Sequence, residues 1–78
     1  MMVTIKAYDK CKYDKDSKKV YEKSYDIDDY EIVSKTDNEM YNEGFDEFDP
    51  YNEYLILKFV DGTTGTFRNS FVDMFSRV

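Results

Sequence analysis

Tyr54-Leu55-Ile56-Leu57-Lys58-Phe59-Val60, followed by Asp61-Gly62, is the stretch whose reading decides the fold class. A short, almost continuous apolar run closed by turn residues is a strand buried on both faces, which predicts a central place in a sheet. Asp-Gly predicts a tight hairpin, with a type I′ turn supplying positive φ at both central positions. Thr63 to Phe67 is then the returning strand. Upstream, Pro50 biases Asp49 away from helical geometry and predicts a helix ending there. Its start is predicted at Thr36-Asp37-Asn38-Glu39, a capping box in which Thr36 and Glu39 satisfy each other's backbone N–H. Tyr41, Phe45 and Phe48 follow at i, i+4, i+7, an apolar stripe for a helix of about three turns. Glu39, Glu43, Asp46 and Glu47 fall on the opposite side of that helix. Gly44, inside it, is expected to cost about 1 kcal/mol relative to alanine.

Further toward the N-terminus, Val3, Ile5 and Ala7 alternate with Thr4, Lys6 and Tyr8, a half-buried strand. Asp14-Lys15-Asp16-Ser17 is a polar turn, and Val20 to Tyr25 returns as the second strand of a hairpin. After an acidic bend, Asp26 to Asp29, the residues Tyr30 to Val33 make a third short strand. At the C-terminus, Ser70 and Asp73 form a second capping pattern, and Phe71, Phe75 and Val78 a buried helical stripe. The predicted order is βββ-α-ββ-α: an α+β fold with a small, mainly antiparallel sheet and two short helices. No repeat or linker interrupts it, so residues 1–78 form a single domain.

The composition suits a small folded domain. Aromatics make up 18% of the chain, with eight Tyr and six Phe, which separates it from disordered sequences and assigns much of the core to rings. Cys11 is the one cysteine, so no intramolecular disulfide forms and a reducing compartment is expected. No apolar run reaches the length of a membrane span, and Met1 to Lys6 lacks the apolar core of a signal peptide. The expectation is a soluble cytoplasmic protein with no membrane association.

Most enzymatic chemistry is unsupported. The chain has no histidine, the commonest general base. Cys11, between Lys10 and Lys12, has no histidine to activate it and reads as a small structural cysteine. No phosphate-binding glycine loop, dinucleotide fingerprint or zinc ligand set is present. Asp14 to Lys18 and Asp26 to Asp29 are acidic, but neither has the glycine and distal glutamate of an EF-hand loop. The chain is therefore read as a non-enzyme with no cofactor and no metal.

What the sequence does carry is an uneven distribution of charge. Residues 25–54 hold eleven carboxylates against Lys35 alone, a net −10 within a chain of formal charge −6. Residues 1–24 are +3 and residues 55–78 are +1. A field of this kind attracts basic surfaces and repels nucleic acid. Like-charge pairs such as Glu39/Glu43 and Glu43/Glu47 each destabilise an isolated helix by about 0.2–0.5 kcal/mol. Such local conflict is characteristic of functional positions. Carboxylates one helical turn apart, or two residues apart on a strand as in Asp26/Asp28 and Asp29/Glu31, are separated by about 5–7 Å. That suits Arg and Lys sites built for phosphates. Tyr51 and Tyr54, beside Pro50, are candidate exposed aromatics that add contact area.

The small size, the Tyr-rich and cysteine-poor composition, and the acid runs Asp26 to Glu31 and Asp37 to Glu53 resemble phage-encoded anti-CRISPR and anti-restriction proteins. This is a resemblance of type, without a shared motif. It implies a phage-derived inhibitor that mimics nucleic acid on a Cas protein or other nuclease in the bacterial cytoplasm. The predicted partner-binding residues are Asp26, Asp28, Asp29, Glu31, Glu39, Glu43, Asp46, Glu47, Tyr51 and Tyr54. The partner is a basic nucleic-acid-binding protein, with no direct contact to nucleic acid. Three alternatives stand beside it. The acidic face only solubilises a structural module. The lysine- and tyrosine-bearing first hairpin binds single strands. Or that hairpin pairs with the acidic block of a second copy to give a homodimer.

Overall fold

A computed structural model describes residues 1–45 and 48–77. The chain is mostly β, which corrects the α+β expectation. Five strands, β1 (Met2–Tyr8), β2 (Lys19–Ser34), β3 (Glu53–Phe59), β4 (Thr64–Arg68) and β5 (Val72–Arg77), form one antiparallel sheet in the order β4-β3-β2-β1-β5. Among the described residues, helical structure is limited to α1 (Asp37–Asn42) and a 3-10 turn at Asn69–Phe71.

The second and third predicted strands, Val20–Tyr25 and Tyr30–Val33, are one strand. β2 runs 16 residues without a break, pairing with β1 over its first half and with β3 over its second. A β-bulge replaces the expected acidic bend. Ile27 faces Phe59 and Asp29 faces Lys58, so Asp28 is the extra residue. The bulge reverses the alternation of side chains along β2. Before it, Tyr25 lies across from Val3, on the core face. After it, Tyr30 and Ile32 lie across from Leu57 and Leu55, while Asp29 and Glu31 turn to the other face.

The core is built from the inward residues of both halves of the sheet. Val3 and Ile5 of β1, Ile27 of β2, Leu55 and Leu57 of β3 and Val72 of β5 are buried together, with Tyr25, Phe59, Phe67 and Met74 packed around them. The strand beginning at Tyr54 lies between β2 and β4 as its apolar run predicts. Its Asp61-Gly62 hairpin also forms, through a different turn. Only Gly62 has positive φ, at +89°, while Gly62 N–H donates to Phe59 C=O (3.0 Å) and Phe59 N–H to Thr63 C=O (2.9 Å). This is the longer hairpin connection with a left-handed glycine. Asp61 Oδ1 braces it, accepting from Thr63 N–H (2.9 Å) and Thr63 Oγ1 (2.6 Å).

The capping box at Thr36 and Glu39 is present, but the helix it opens has six residues. Gly44 stops it. Gly44 N–H donates to Tyr41 C=O (3.0 Å) and Phe45 N–H to Met40 C=O (2.9 Å), with Gly44 left-handed at φ +85°. That is a Schellman ending, so Gly44 terminates the helix and does not weaken its interior. The stripe Tyr41, Phe45, Phe48 is not realised. Tyr41 is 69% exposed, and the buried helical residue is Met40.

The predicted C-terminal helix is also replaced. After the 3-10 turn the chain extends as β5 and pairs with β1 from Ala7↔Val72 to Met2↔Arg77. A helix this short is marginal alone, whereas the strand completes a backbone ladder and buries Val72. Val78 of the predicted stripe lies outside the described residues, and Phe75 is partly exposed under the ammonium of Lys6. Among the described residues no helix is long and apolar enough to cross a membrane.

Candidate functional site

The acid block divides into three groups. The first is on β2. Asp26, Asp28, Asp29 and Glu31 are all exposed. Asp26 pairs with the N-terminal ammonium at 3.4 Å, and none of the other three has an ion pair among the described residues. Asp29 Oδ1 accepts the N–H of Tyr30 at 2.8 Å. Asp29 and Glu31, two residues apart, share one face of the sheet at a separation of about 7 Å. Across the ladder from them stand Lys58 and Ile56.

The second group surrounds Lys35. Its ammonium bonds to Glu43 Oε1. That hydrogen bond holds Lys35 above the usual lysine range; partial burial opposes the shift, and the fields of Glu43, Glu39 and Glu31 reinforce it. The fold therefore gathers Glu31 of β2, Glu39 of α1 and Glu43, the residue that caps the end of α1, around one lysine. Glu39 is committed to the capping box, accepting from Thr36 N–H at 3.4 Å. Of the predicted acidic helical row Glu39, Glu43, Asp46, Glu47, only Glu39 lies within α1, which ends at Asn42 with Glu43 as its cap. Asp46 and Glu47 lie outside the described residues.

The third group is structural. Asp49 is only 2% exposed and serves as an acceptor hub. Its Oδ2 accepts Tyr51 N–H and Glu53 N–H, both at 3.0 Å. Its Oδ1 accepts Ser70 N–H at 2.9 Å and the Ser70 hydroxyl. Burial raises its pKa, but the bonds from the Ser70 hydroxyl and from the N–H groups of Glu53, Ser70 and Tyr51 outweigh this, and it titrates below the usual aspartate range. Ser70, expected to cap a helix, instead ties the 3-10 turn to the segment before β3. Glu53 accepts from Asn69 Nδ2 at 3.1 Å in the same joint.

The two tyrosines separate. Tyr54 is fully buried, with its hydroxyl accepting Asp49 N–H at 3.1 Å and the Phe45 ring set edge-on at 5.5 Å. It is unavailable to a partner, which corrects its place among the contact residues. Tyr51 is exposed and meets Tyr13 edge-to-face at 5.6 Å, joining the two loops that flank the 3-10 turn. Neither the Asp49 hub nor the Tyr13 pairing was anticipated from the sequence. Asp49-Pro50 did carry a signal for the first, since Asp before Pro initiates turns and its side chain bonds two residues on.

The lysines of the first hairpin are largely occupied within the chain. Lys12 pairs with Asp73 at 3.5 Å and bonds to Val72 C=O at 3.0 Å. Lys19 pairs with Glu22 at 3.7 Å, and Lys6 and Lys23 cover the rings of Phe75 and Tyr25. A cavity of about 590 Å³ in the 9–18 loop is lined by Asp9, Lys10, Lys15, Asp16, Ser17 and Lys18, which mix both signs of charge. Among the described residues no group of three or more Cys, Asp or Glu converges to hold a metal ion. The chain matches no family model, no curated protein and no solved structure.

Proposed function

We propose that this chain is a protein-binding inhibitor that sets the carboxylates of β2 against the basic, nucleic-acid-binding surface of a defence nuclease, a Cas protein or a restriction enzyme. The observation that supports this reading is the exposed row Asp26, Asp28, Asp29 and Glu31, of which three make no ion pair among the described residues. Glu39 and Glu43 extend the row around Lys35. The spacing of Asp29 and Glu31 is about twice the 3.4 Å axial charge spacing of a DNA strand, so alternate phosphate sites of a basic groove are matched. Self-repulsion along such a row is relieved by a cationic partner. In this reading the chain is phage-derived and works in the bacterial cytoplasm, where such nucleases act.

The test is inhibition of DNA cleavage by a panel of purified Cas effectors and restriction enzymes. Wild type is compared with the triple variant Asp26→Lys, Asp29→Lys, Glu31→Lys. All three positions are solvent-exposed, so the variant is expected to fold. Inhibition that weakens with added salt, is relieved by competing DNA and is lost in the variant supports the reading. Undiminished inhibition by the variant, or no inhibition across the panel, refutes it.

A further inference from the structure

The second half of β2 is an open sheet edge. β1 pairs with β2 as far as Met2↔Asp26, and Met1 and Ile27 exchange two further bonds, Ile27 N–H donating to Met1 C=O at 2.8 Å and the Met1 ammonium to Ile27 C=O at 2.9 Å. From Asp28 to Ser34, β2 has β3 on one side and, among the described residues, no strand on the other. The hydrogen-bond alternation can be phased from Lys35 N–H, which donates to Asn52 C=O at 2.9 Å. In an antiparallel ladder every second residue bonds to a given neighbour. Glu31 and Val33 therefore bond to β3, and Tyr30, Ile32 and Ser34 turn their backbone groups to the open side. Tyr30 N–H is met by the Asp29 carboxylate. Among the described residues the N–H of Ile32 and Ser34 and the carbonyls of all three have no strand to pair with.

The side chains along this edge have two distinct faces. Tyr30 and Ile32 are 40% and 55% exposed, although they lie beside the fully buried Leu57 and Leu55. They belong to the core face, and among the described residues no strand flanks them on the open side. On the other face Asp29 and Glu31 are carboxylates. A strand added here would place alternate side chains against an apolar pair and an anionic pair.

We infer that the open edge of β2 at residues 28–34 binds an extended segment of the protein partner in which basic and apolar residues alternate, by β-strand addition. The basic residues of that segment flank Asp29 and Glu31, and its apolar residues cover Tyr30 and Ile32. The charge of the occupant rests on the acidic-face reading above; the site and its backbone geometry do not.

The probe is a short peptide alternating Lys and Val. Two analogues carry N-methyl groups on one or the other alternate set of residues. Binding to the wild-type chain is followed by titration calorimetry and by amide exchange. One methylated set should weaken binding by at least about tenfold, and the other should leave it intact, because only one set faces the edge. Exchange of the Ile32 and Ser34 amides should slow on binding. Ile32→Pro, which removes an edge N–H and no bond to β3, should fold and lose the peptide. If both methylated peptides bind like the parent, the contact is electrostatic; the edge inference is overturned and the acidic-face reading survives. If a Glu–Val peptide binds as well as Lys–Val, the charge of the occupant is wrong. If neither Lys–Val nor a shuffled peptide of the same composition binds at low salt, both readings fall.

Discussion

Replacing Asp49 by Asn tests the joint that holds the 3-10 turn against the base of β3. The change keeps the shape of the side chain and removes one of two acceptors. In the native chain each carboxylate oxygen takes two donors: the N–H groups of Tyr51 and Glu53 on one, the N–H and hydroxyl of Ser70 on the other. An amide has a single oxygen. If that oxygen keeps Tyr51 and Glu53, its NH2 faces Ser70, whose hydroxyl can rotate to accept but whose N–H cannot. Ser70 is 2% exposed, so water cannot replace the lost partner. One orphaned buried donor costs about 1–3 kcal/mol, and loss of the charge weakens the bonds that remain. The expected destabilisation is about 2–4 kcal/mol, against a total of about 4–12 kcal/mol for a domain of this length. Each kcal/mol lowers Tm by about 4–8 °C at this size, so a fall of at least about 8 °C is expected by circular dichroism.

The pH dependence follows from the same bonds. The folded pKa of Asp49 lies below the unfolded value, because its four donors outweigh the effect of burial. Its contribution to stability is therefore complete above about pH 4 and is lost as pH falls through the folded pKa. Wild type and Asp49→Asn should differ most near neutrality and converge in acid. Ser70→Ala should be costly in the wild-type background and nearly free in Asp49→Ala, with a coupling of about 1–2 kcal/mol. A Tm for Asp49→Asn within about 3 °C of wild type, or a gap independent of pH, would refute the hub.

Two glycines give further tests. A helix-interior Gly44 would predict that Gly44→Ala stabilises by about 1 kcal/mol. The left-handed φ of +85° at the helix end predicts the opposite sign, a loss of about 1 kcal/mol or slightly more, and since among the described residues no atom beyond the chain neighbours lies within 4 Å of the added Cβ, the loss is assigned to the backbone. Urea denaturation distinguishes the two. Gly65→Ala would set a Cβ 3.0 Å from two ring carbons of Phe59, whose ring is held against Tyr25. A loss of about 1–3 kcal/mol is expected, and it should shrink in a Phe59→Leu background, where a smaller side chain leaves room.

How much of this was legible in the sequence depends on the range of the interactions involved. The apolar run at Tyr54, the Asp61-Gly62 hairpin and the capping box at Thr36 are patterns spanning a few residues, and all are present, as is the first hairpin, whose alternating strands are joined by a polar turn. The charge segregation is likewise a property of order along the chain, and the sequence alone determined that residues 25–54 would be strongly acidic. Errors arose where one local pattern had two physical solutions. Phe71 and Phe75 suit a helix by spacing, yet the exposed edge of β1, far away in sequence, draws the segment into β5. Gly44 is costly inside a helix and favourable just past its end, and the left-handed φ with the bonds from Gly44 and Phe45 to Tyr41 and Met40 shows which of the two is adopted.

The same limit governs the candidate site. Spacing grouped Glu39, Glu43, Asp46 and Glu47 on a helix, whereas the tertiary structure gives the exposed row to β2 and spends Glu39 and Glu43 on a cap and an ion pair. Tyr51 and Tyr54 are alike in sequence, but the loop carrying Asp49 buries one and exposes the other. The β-bulge at Asp28 is the clearest case. One extra residue in the ladder decides that Asp29 and Glu31 face outward together and that Tyr30 and Ile32 fall on the core side at an uncovered edge. Local sequence determined the charges and the strand propensities. Register and edge exposure were decided only by which strands pair, because backbone pairing is set by partners distant along the chain.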